Sequence, residues 1–144
     1  MTDELRLSAA VADEMIAHCM AERPNEACGI LAAKGDDVVR VFRMTNAQGS
    51  PLRYGLLPEE FNKVQNEIDD TGLQMIGGYH SHTRTEAYPS PTDVREAHLG
   101  DLLYLIVSLM NEAHPLIRAF QIIKGNMADE TGEIVEIAVV VEGR

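Results

Sequence analysis

The 144-residue chain has no tryptophan, few other aromatic residues and only two cysteines. With so few aromatic side chains, the hydrophobic core must be built mainly from aliphatic residues and methionine. Cys19 and Cys28 do not have the spacing of a zinc half-site or of a redox pair. Disulfides persist in oxidising compartments, so two free thiols favour a cytoplasmic protein.

Basic residues are also scarce. Twelve Lys and Arg stand against 23 Asp and Glu, which gives a formal net charge of −11. A nucleic-acid partner would require a basic face, so the composition argues against one. There is no apolar run of the roughly 18–20 residues that a membrane span needs, and Met1–Arg6 does not resemble a signal peptide. We therefore expect a single domain over residues 1–144, without membrane contact.

Hydrophobic periodicity predicts helices and strands that alternate along the chain. One helix, capped by Ser8, runs from Ala9 to about Glu22; a second begins at Pro58; a third runs from Pro91 to about Leu99. Strands are predicted at residues 27–33, 38–44, 73–79, 102–109, 116–123 and 133–141. Such interleaving indicates an α/β fold in which helices pack against a mixed sheet.

The residues that carry chemistry concentrate after the strand over residues 73–79. His80 and His82 are separated by one residue, and histidines at i and i+2 of a strand project to one face about 6.6 Å apart along the backbone. Asp93 follows in the first turn of the next helix, and proline on both sides of Ser90 stiffens the connection. Each residue alone has an ordinary explanation, but two imidazoles and a carboxylate together predict a zinc site with an open fourth position.

Two further polar residues are candidates for catalysis. Ser90 and Asp93 are spaced as in a capping box, so the Ser90 hydroxyl could cap the helix. It could instead donate to the oxyanion of a tetrahedral intermediate, and both interpretations stay open. Glu26 precedes an apolar strand, where burial would raise its pKa towards that of a general base. A glutamate at a helix exit is usually solvated, so this assignment depends on a family comparison.

Taken together, these residues resemble a known signature. An upstream Glu, His-Ser-His, seven residues, Ser, two residues and Asp are similar to the signature of the JAMM (MPN+) zinc isopeptidases. The resemblance implies that His80, His82 and Asp93 bind one zinc ion per chain, with water as the fourth ligand. It implies that Glu26 is the general base and acid and that Ser90 supports the oxyanion. It also implies a single MPN/JAMM domain of the cytidine-deaminase-like class, an α/β fold with a curved mixed β-sheet flanked by helices.

Longer stretches resemble a narrower bacterial branch of this family, namely residues 25–29, 45–54 and 79–90. Its members hydrolyse the amide bond after the C-terminal Gly-Gly of a ubiquitin-like sulfur-carrier protein. They release either cysteine, in cysteine biosynthesis, or short C-terminal residues. The resemblance implies such a carrier as substrate and partner, and a homodimer is a further expectation from it. The chain has no room for the long insertions with which eukaryotic members grip ubiquitin chains.

Arg53 and Arg84 flank the predicted site loops, and one of them could bind the terminal carboxylate of a released cysteine. A solvated arginine is the simpler explanation for each. Cys28, inside an apolar strand, is expected to be a buried hydrophobic residue and not a nucleophile.

Three other functions are alternatives to this interpretation. A non-catalytic MPN scaffold would lack the ligand set that this chain retains. A zinc nucleobase deaminase would need a Cys-x-x-Cys half-site, which the sequence does not contain. A deubiquitinase-like isopeptidase acting on lysine-linked ubiquitin-like modifiers would share the chemistry and differ only in the leaving amine.

Overall fold

The computed structural model of the chain describes residues 3–98 and 100–143, which form seven strands and three helices. The helices are α1 (Ala9–Glu22), α2 (Pro58–Thr71) and α3 (Pro91–Arg95). The strands are β1 (Glu4–Ser8), β2 (Cys28–Lys34), β3 (Asp37–Met44), β4 (Gln74–His82), β5 (Leu103–Ser108), β6 (Leu116–Ile123) and β7 (Glu133–Glu142). No helix within the described ranges is long and apolar enough to cross a membrane.

The strands form one mixed sheet in the order β1-β3-β2-β4-β5-β6-β7, and β7 pairs back with β1 so that the sheet closes. β4 and β5 run parallel, as do β1 with β3 and β1 with β7, and the other neighbours are antiparallel. The predicted curved mixed sheet with flanking helices is confirmed. The sheet curves far enough to close into a barrel. β1 was missed, because only Leu5 and Leu7 are fully buried in a strand of five residues.

β2 is buried along almost its whole length because helices cover both of its faces. Ile30 and Ala32 pack with Val64 and Ile68 of α2, whereas Leu31 belongs to the main core on the α1 side. Fully burying each large aliphatic side chain stabilises the fold by roughly 1.5–3 kcal/mol. The continuous apolar run in this part of the sequence therefore reflects a strand covered on both faces.

Two predicted elements around the site have different bounds in the structure. β4 does not end at Tyr79 but continues through His82, because its parallel ladder with β5 extends to the pair His82 and Ser108. The third helix does not reach Leu99 but ends at Arg95, and Leu99 itself lies outside the described residues. Both histidines are therefore strand residues, and the carboxylate is carried by a very short helix.

Candidate active site

The end of β4 holds the two histidines between neighbouring strands. His80 pairs with Cys28 of β2 on one side and with Ile106 of β5 on the other. Both imidazoles are buried, and their Nε2 atoms face each other at 3.2 Å. The period of the strand thus brings the two rings to one face, as the i, i+2 spacing predicted.

Asp93 completes a triangle of ligand atoms. Its Oδ2 lies 3.2 Å from Nε2 of His80 and 2.9 Å from Nε2 of His82. Ligands bound at about 2.0–2.1 Å to a tetrahedral zinc lie about 3.3 Å from one another. These three residues could hold a metal ion, and their separations suit that geometry closely.

The second ring nitrogen of His82 supports this arrangement. The Nδ1–H group donates to the backbone carbonyl of Glu86 at 2.8 Å, which leaves the Nε2 lone pair facing the other two ligand atoms. In the neutral ring this lone pair and the carboxylate oxygen at 2.9 Å both accept, so a cation between them would satisfy both, either a proton on Nε2 or a metal ion. The donor set therefore fits a divalent metal such as zinc.

Electrostatics favour a negative charge on Asp93. Burial by itself raises the pKa of this carboxyl, but hydrogen bonds from His80 and His82 outweigh it and hold the pKa well below its usual range. Burial likewise lowers the pKa of His82, while the hydrogen bond to Asp93 raises it to a net value above its ordinary one. The ionised Asp93 carboxylate thus attracts positive charge to the trio.

α3 is held at both ends, although five residues are too few for a helix that is stable alone. At its start, the Asp93 N–H donates to Oγ of Ser90 at 3.0 Å, and the Ser90 N–H donates to Oδ2 of Asp93 at 2.9 Å. At its end, the Lys124 ammonium donates to the carbonyls of Val94, Arg95 and Ala97 at 3.0, 3.1 and 3.4 Å. Ser90 is therefore an N-cap, and since its Oγ accepts in the capping box, its O–H can still donate elsewhere.

Glu26 lies in the short connection between α1 and β2 and is only 5% exposed. Its Oε1 has no hydrogen-bond partner among the described residues. Burial raises the pKa of this carboxyl to about 8; the charge of His82 opposes the shift and that of Asp93 adds to it. A buried oxygen without a partner is costly, so it points to a group that binds there.

Ser81, between the two histidines, ties the strand to the segment after Glu26. The Ala27 N–H donates to Oγ of Ser81 at 2.8 Å, and the Ser81 N–H donates to the Ala27 carbonyl at 3.1 Å. The ring of Tyr54 stacks on His80 with centroids 4.4 Å apart. Sequence reasoning assigned neither residue a role, and the only signal was their place in stretches that resemble the family.

The two candidate arginines, Arg53 and Arg84, line different clefts. Arg53 forms an ion pair with Glu96 and lines a cleft of about 390 Å³ that Asp93 also borders. Arg84 lines a different recess, together with Arg23 and Glu112. Of the two, Arg53 is thus the one that shares a cleft with a residue of the metal trio.

Cys28 is a buried residue of β2, as predicted. The side chain is fully buried, and its Sγ donates to the carbonyl of Thr45 at 3.6 Å. Burial raises the pKa of the thiol to about 12, so the nucleophilic thiolate is absent at neutral pH.

Comparisons with known proteins agree with the signature. Residues 8–123 match the family described as prokaryotic homologs of the JAB domain. The chain is 38% identical to the CysO-cysteine peptidase of Mycobacterium tuberculosis over 134 residues, or 92% of each chain. It is 32% identical to the desampylase of Haloferax volcanii over 114 residues, 74% of this chain and 82% of the relative. The solution structure of protein DSY2949 from Desulfitobacterium hafniense superposes with a TM-score of 0.83 at 33% identity, covering 97% of this chain and 94% of the other. The chain belongs to the prokaryotic JAB-domain family.

Proposed function

We propose that the protein is a zinc-dependent metallopeptidase that hydrolyses the amide bond after the C-terminal Gly-Gly of a ubiquitin-like sulfur-carrier protein. It would release cysteine or a short C-terminal segment. The observation that carries this proposal is the His80, His82 and Asp93 triangle, near a buried Glu26 carboxyl whose Oε1 has no partner among the described residues. Similarity to a CysO-cysteine peptidase over 92% of both chains supports the substrate class.

His80, His82 and Asp93 would hold the zinc ion through Nε2, Nε2 and Oδ2. When bound, zinc supplies a Lewis acid that acidifies a water molecule and polarises a carbonyl. Three protein ligands leave a fourth position open, which is typical of catalytic zinc and not of structural zinc. The Glu86 carbonyl keeps His82 in the tautomer that this role requires.

Glu26 would take the proton of the attacking water and deliver it to the leaving amine. A carboxyl can do both only if its pKa is near the working pH, and burial raises the pKa of Glu26 to about 8. Ser90 would donate its O–H to the developing oxyanion while its Oγ accepts from the Asp93 amide.

Arg53 would bind the terminal carboxylate of the leaving cysteine, because its cleft borders Asp93. Arg53→Gln should raise KM for a carrier ending in Gly-Gly-Cys by about tenfold or more, since a charge-assisted hydrogen bond contributes about 1.5–3 kcal/mol. With a C-terminally amidated substrate, which lacks the carboxylate, Arg53→Gln and the unsubstituted protein should have the same KM. Arg84→Gln is the matched control. A larger rise in KM for Arg84→Gln would indicate that the carboxylate binds in the recess lined by Arg84.

The decisive experiment is mass spectrometry of a Gly-Gly-Cys carrier after incubation with zinc-loaded protein. We expect the carrier to lose one cysteine, and Glu26→Gln to keep its zinc but lose turnover. Glu22→Gln is the control, since Glu22 lines the same cleft as Glu26 but is exposed.

The same assay includes a carrier linked to lysine. Cleavage of that conjugate alone would identify an isopeptidase, for which the similarity to a desampylase is the supporting observation. Fully zinc-loaded protein that cleaves neither substrate would overturn the enzymatic proposal in favour of a scaffold.

A further inference from the structure

The loop over residues 46–55, here called the Asn46 loop, is held together by hydrogen bonds of the Asn46 side chain. Nδ2 of Asn46 donates to the carbonyls of Glu26 and Arg53 at 2.9 and 3.0 Å. Oδ1 accepts from the N–H groups of Gln48 and Gly55 at 2.9 and 3.2 Å. An asparagine side chain has two donors and room for two acceptor bonds, so its whole hydrogen-bonding capacity is used.

One of these bonds leaves the loop and reaches Glu26. The Glu26 N–H donates to the carbonyl of Ser50, also in the loop, at 2.9 Å. β2 begins only at Cys28, so Glu26 precedes the sheet ladder. Both backbone polar groups of Glu26 are therefore bonded to the Asn46 loop, which replaces a neighbouring strand at this position.

On the side chain of Glu26, Oε1 is buried without a hydrogen-bond partner among residues 3–98 and 100–143. The direction of the carboxyl thus depends on how its backbone is fixed. The far end of the same loop carries Tyr54, whose ring stacks on the ligand His80. The loop consequently contacts both the proton-transfer residue and a metal ligand.

We propose that Asn46 is a positioning residue that holds the Glu26 carboxyl in place for proton transfer; this rests on the proposed function. Asn46→Asp keeps the acceptor towards Gln48 and Gly55. It replaces the NH₂ group with an oxygen that would face the carbonyls of Glu26 and Arg53. The substitution therefore breaks the bond to Glu26 and leaves the size of the side chain almost unchanged.

The kinetic test compares Asn46→Asp with Asn126→Asp. Asn126 lies in a remote turn where its Oδ1 accepts from the Ala128 N–H at 2.8 Å, and an aspartate can do the same. For Asn46→Asp we expect kcat on the Gly-Gly-Cys carrier to fall on the order of 10–100-fold, with KM and zinc affinity within about twofold. The Asn126→Asp variant should match the unsubstituted protein in all three. If Asn46→Asp does not fold, Asn46→Ala replaces it.

A double-mutant cycle separates positioning from general damage. If Asn46 acts through Glu26, Asn46→Asp should have no further effect on the residual rate of Glu26→Gln. An undiminished loss in that background would overturn the proposal. So would an unchanged kcat in the single variant, or a loss of zinc affinity as large as the loss of kcat.

Amide hydrogen exchange in the metal-free protein provides a readout that does not need turnover. In Asn46→Asp the Glu26 amide should lose protection, because the loop whose Ser50 carbonyl accepts from it is no longer tied to Glu26, whereas the amide of Leu105 in β5 should not. Unchanged protection at Glu26 would overturn the anchoring claim. If the unsubstituted protein cleaves no carrier, the proposed function fails, but this exchange experiment still tests the anchor.

Discussion

At the scale of single residues, the buried Glu26 carboxyl gives the metal-free protein a specific pH dependence. Its pKa is about 8 in the fold, against an ordinary value of 4.5. A group that binds its proton more tightly when folded stabilises the protein fully below pH 4.5, and that contribution is lost as the pH rises to about 8. Relative to Glu26→Gln, the free energy of unfolding should therefore fall by up to about 1.4 kcal/mol per pH unit in this window.

The measurement is denaturant unfolding of both proteins at pH 5 and pH 8 in the presence of a chelator. The comparison cancels the histidines and Asp93, which both proteins share. Equal differences at the two pH values would show that the Glu26 carboxyl is not held in a desolvated position. The same desolvation is what suits Glu26 to proton transfer, so this test bears directly on its role.

Ser90 has a structural role that can be separated from its proposed catalytic one. Ser90→Ala removes an N-cap and should lower the free energy of unfolding by about 1 kcal/mol. If the hydroxyl also donates to the oxyanion, kcat should fall by about 10²–10³-fold. Ser8→Ala is the matched control, because the Ser8 Oγ caps α1 by accepting from the Val11 N–H at 3.1 Å. Equal kcat for the two variants would leave Ser90 as a cap only.

The sequence predicts this site unevenly at the residue scale. His80, His82 and Asp93 were predicted to converge from strand periodicity and helix-start chemistry, which are local rules. Asn46 was not given a role, because its partner Glu26 is 20 residues away and the bond goes to a backbone carbonyl. A local bond to the backbone, such as the Ser8 cap, follows from its fixed spacing, whereas this distant bond has no fixed spacing and does not constrain the identity of the partner residue.

At the scale of elements, α3 depends on Lys124, which lies 29 residues after Arg95 in the chain. Lys124 follows β6, and its ammonium group donates hydrogen bonds to three carbonyls at the C-terminal end of α3. Lys124→Met should loosen the helix that carries Asp93 and weaken zinc binding by about 10–100-fold, the usual effect of removing a group that orients a ligand. Competition with a zinc chelator of known affinity measures this effect, with Lys63→Met on α2 as the control. Unchanged zinc affinity in Lys124→Met would mean that the capping box alone holds Asp93.

Element bounds were predicted best where the signal is local. The helix over Ala9–Glu22 and the strand over Leu116–Ile123 agree with the structure residue for residue. The third helix was predicted too long, since its periodicity continues but its last carbonyls are taken by Lys124. β4 was predicted too short because its apolar run ends at Tyr79, whereas the ladder with β5 continues through His82.

At the scale of the whole molecule, closure of the sheet was outside the reach of sequence reasoning. β1 pairs with β7 from Glu4 and Ala138 to Ser8 and Glu142, between strands at opposite ends of the chain. The sequence pattern of neither strand indicates which strand it pairs with, and a mixed sheet with free edges would satisfy the same periodicity. What the sequence does support is the fold family, through the spacing of the signature residues and not through the sheet.

Zinc should act as a cross-link within this closed fold, because its proposed ligands come from β4 and α3. Binding only to the folded state stabilises it by RT ln(1 + [Zn]/Kd), about 2.7 kcal/mol at a free zinc concentration of 100 Kd. Chelation should therefore abolish turnover and lower the free energy of unfolding together, and added zinc should restore both.

His82→Ala should lose the zinc-dependent stabilisation, whereas His98→Ala, at an exposed position beyond α3, should keep it. Full activity in protein stripped of metal would contradict the metallopeptidase mechanism. Zinc-dependent stabilisation that survives in His82→Ala would show instead that the ion binds outside the triangle of His80, His82 and Asp93.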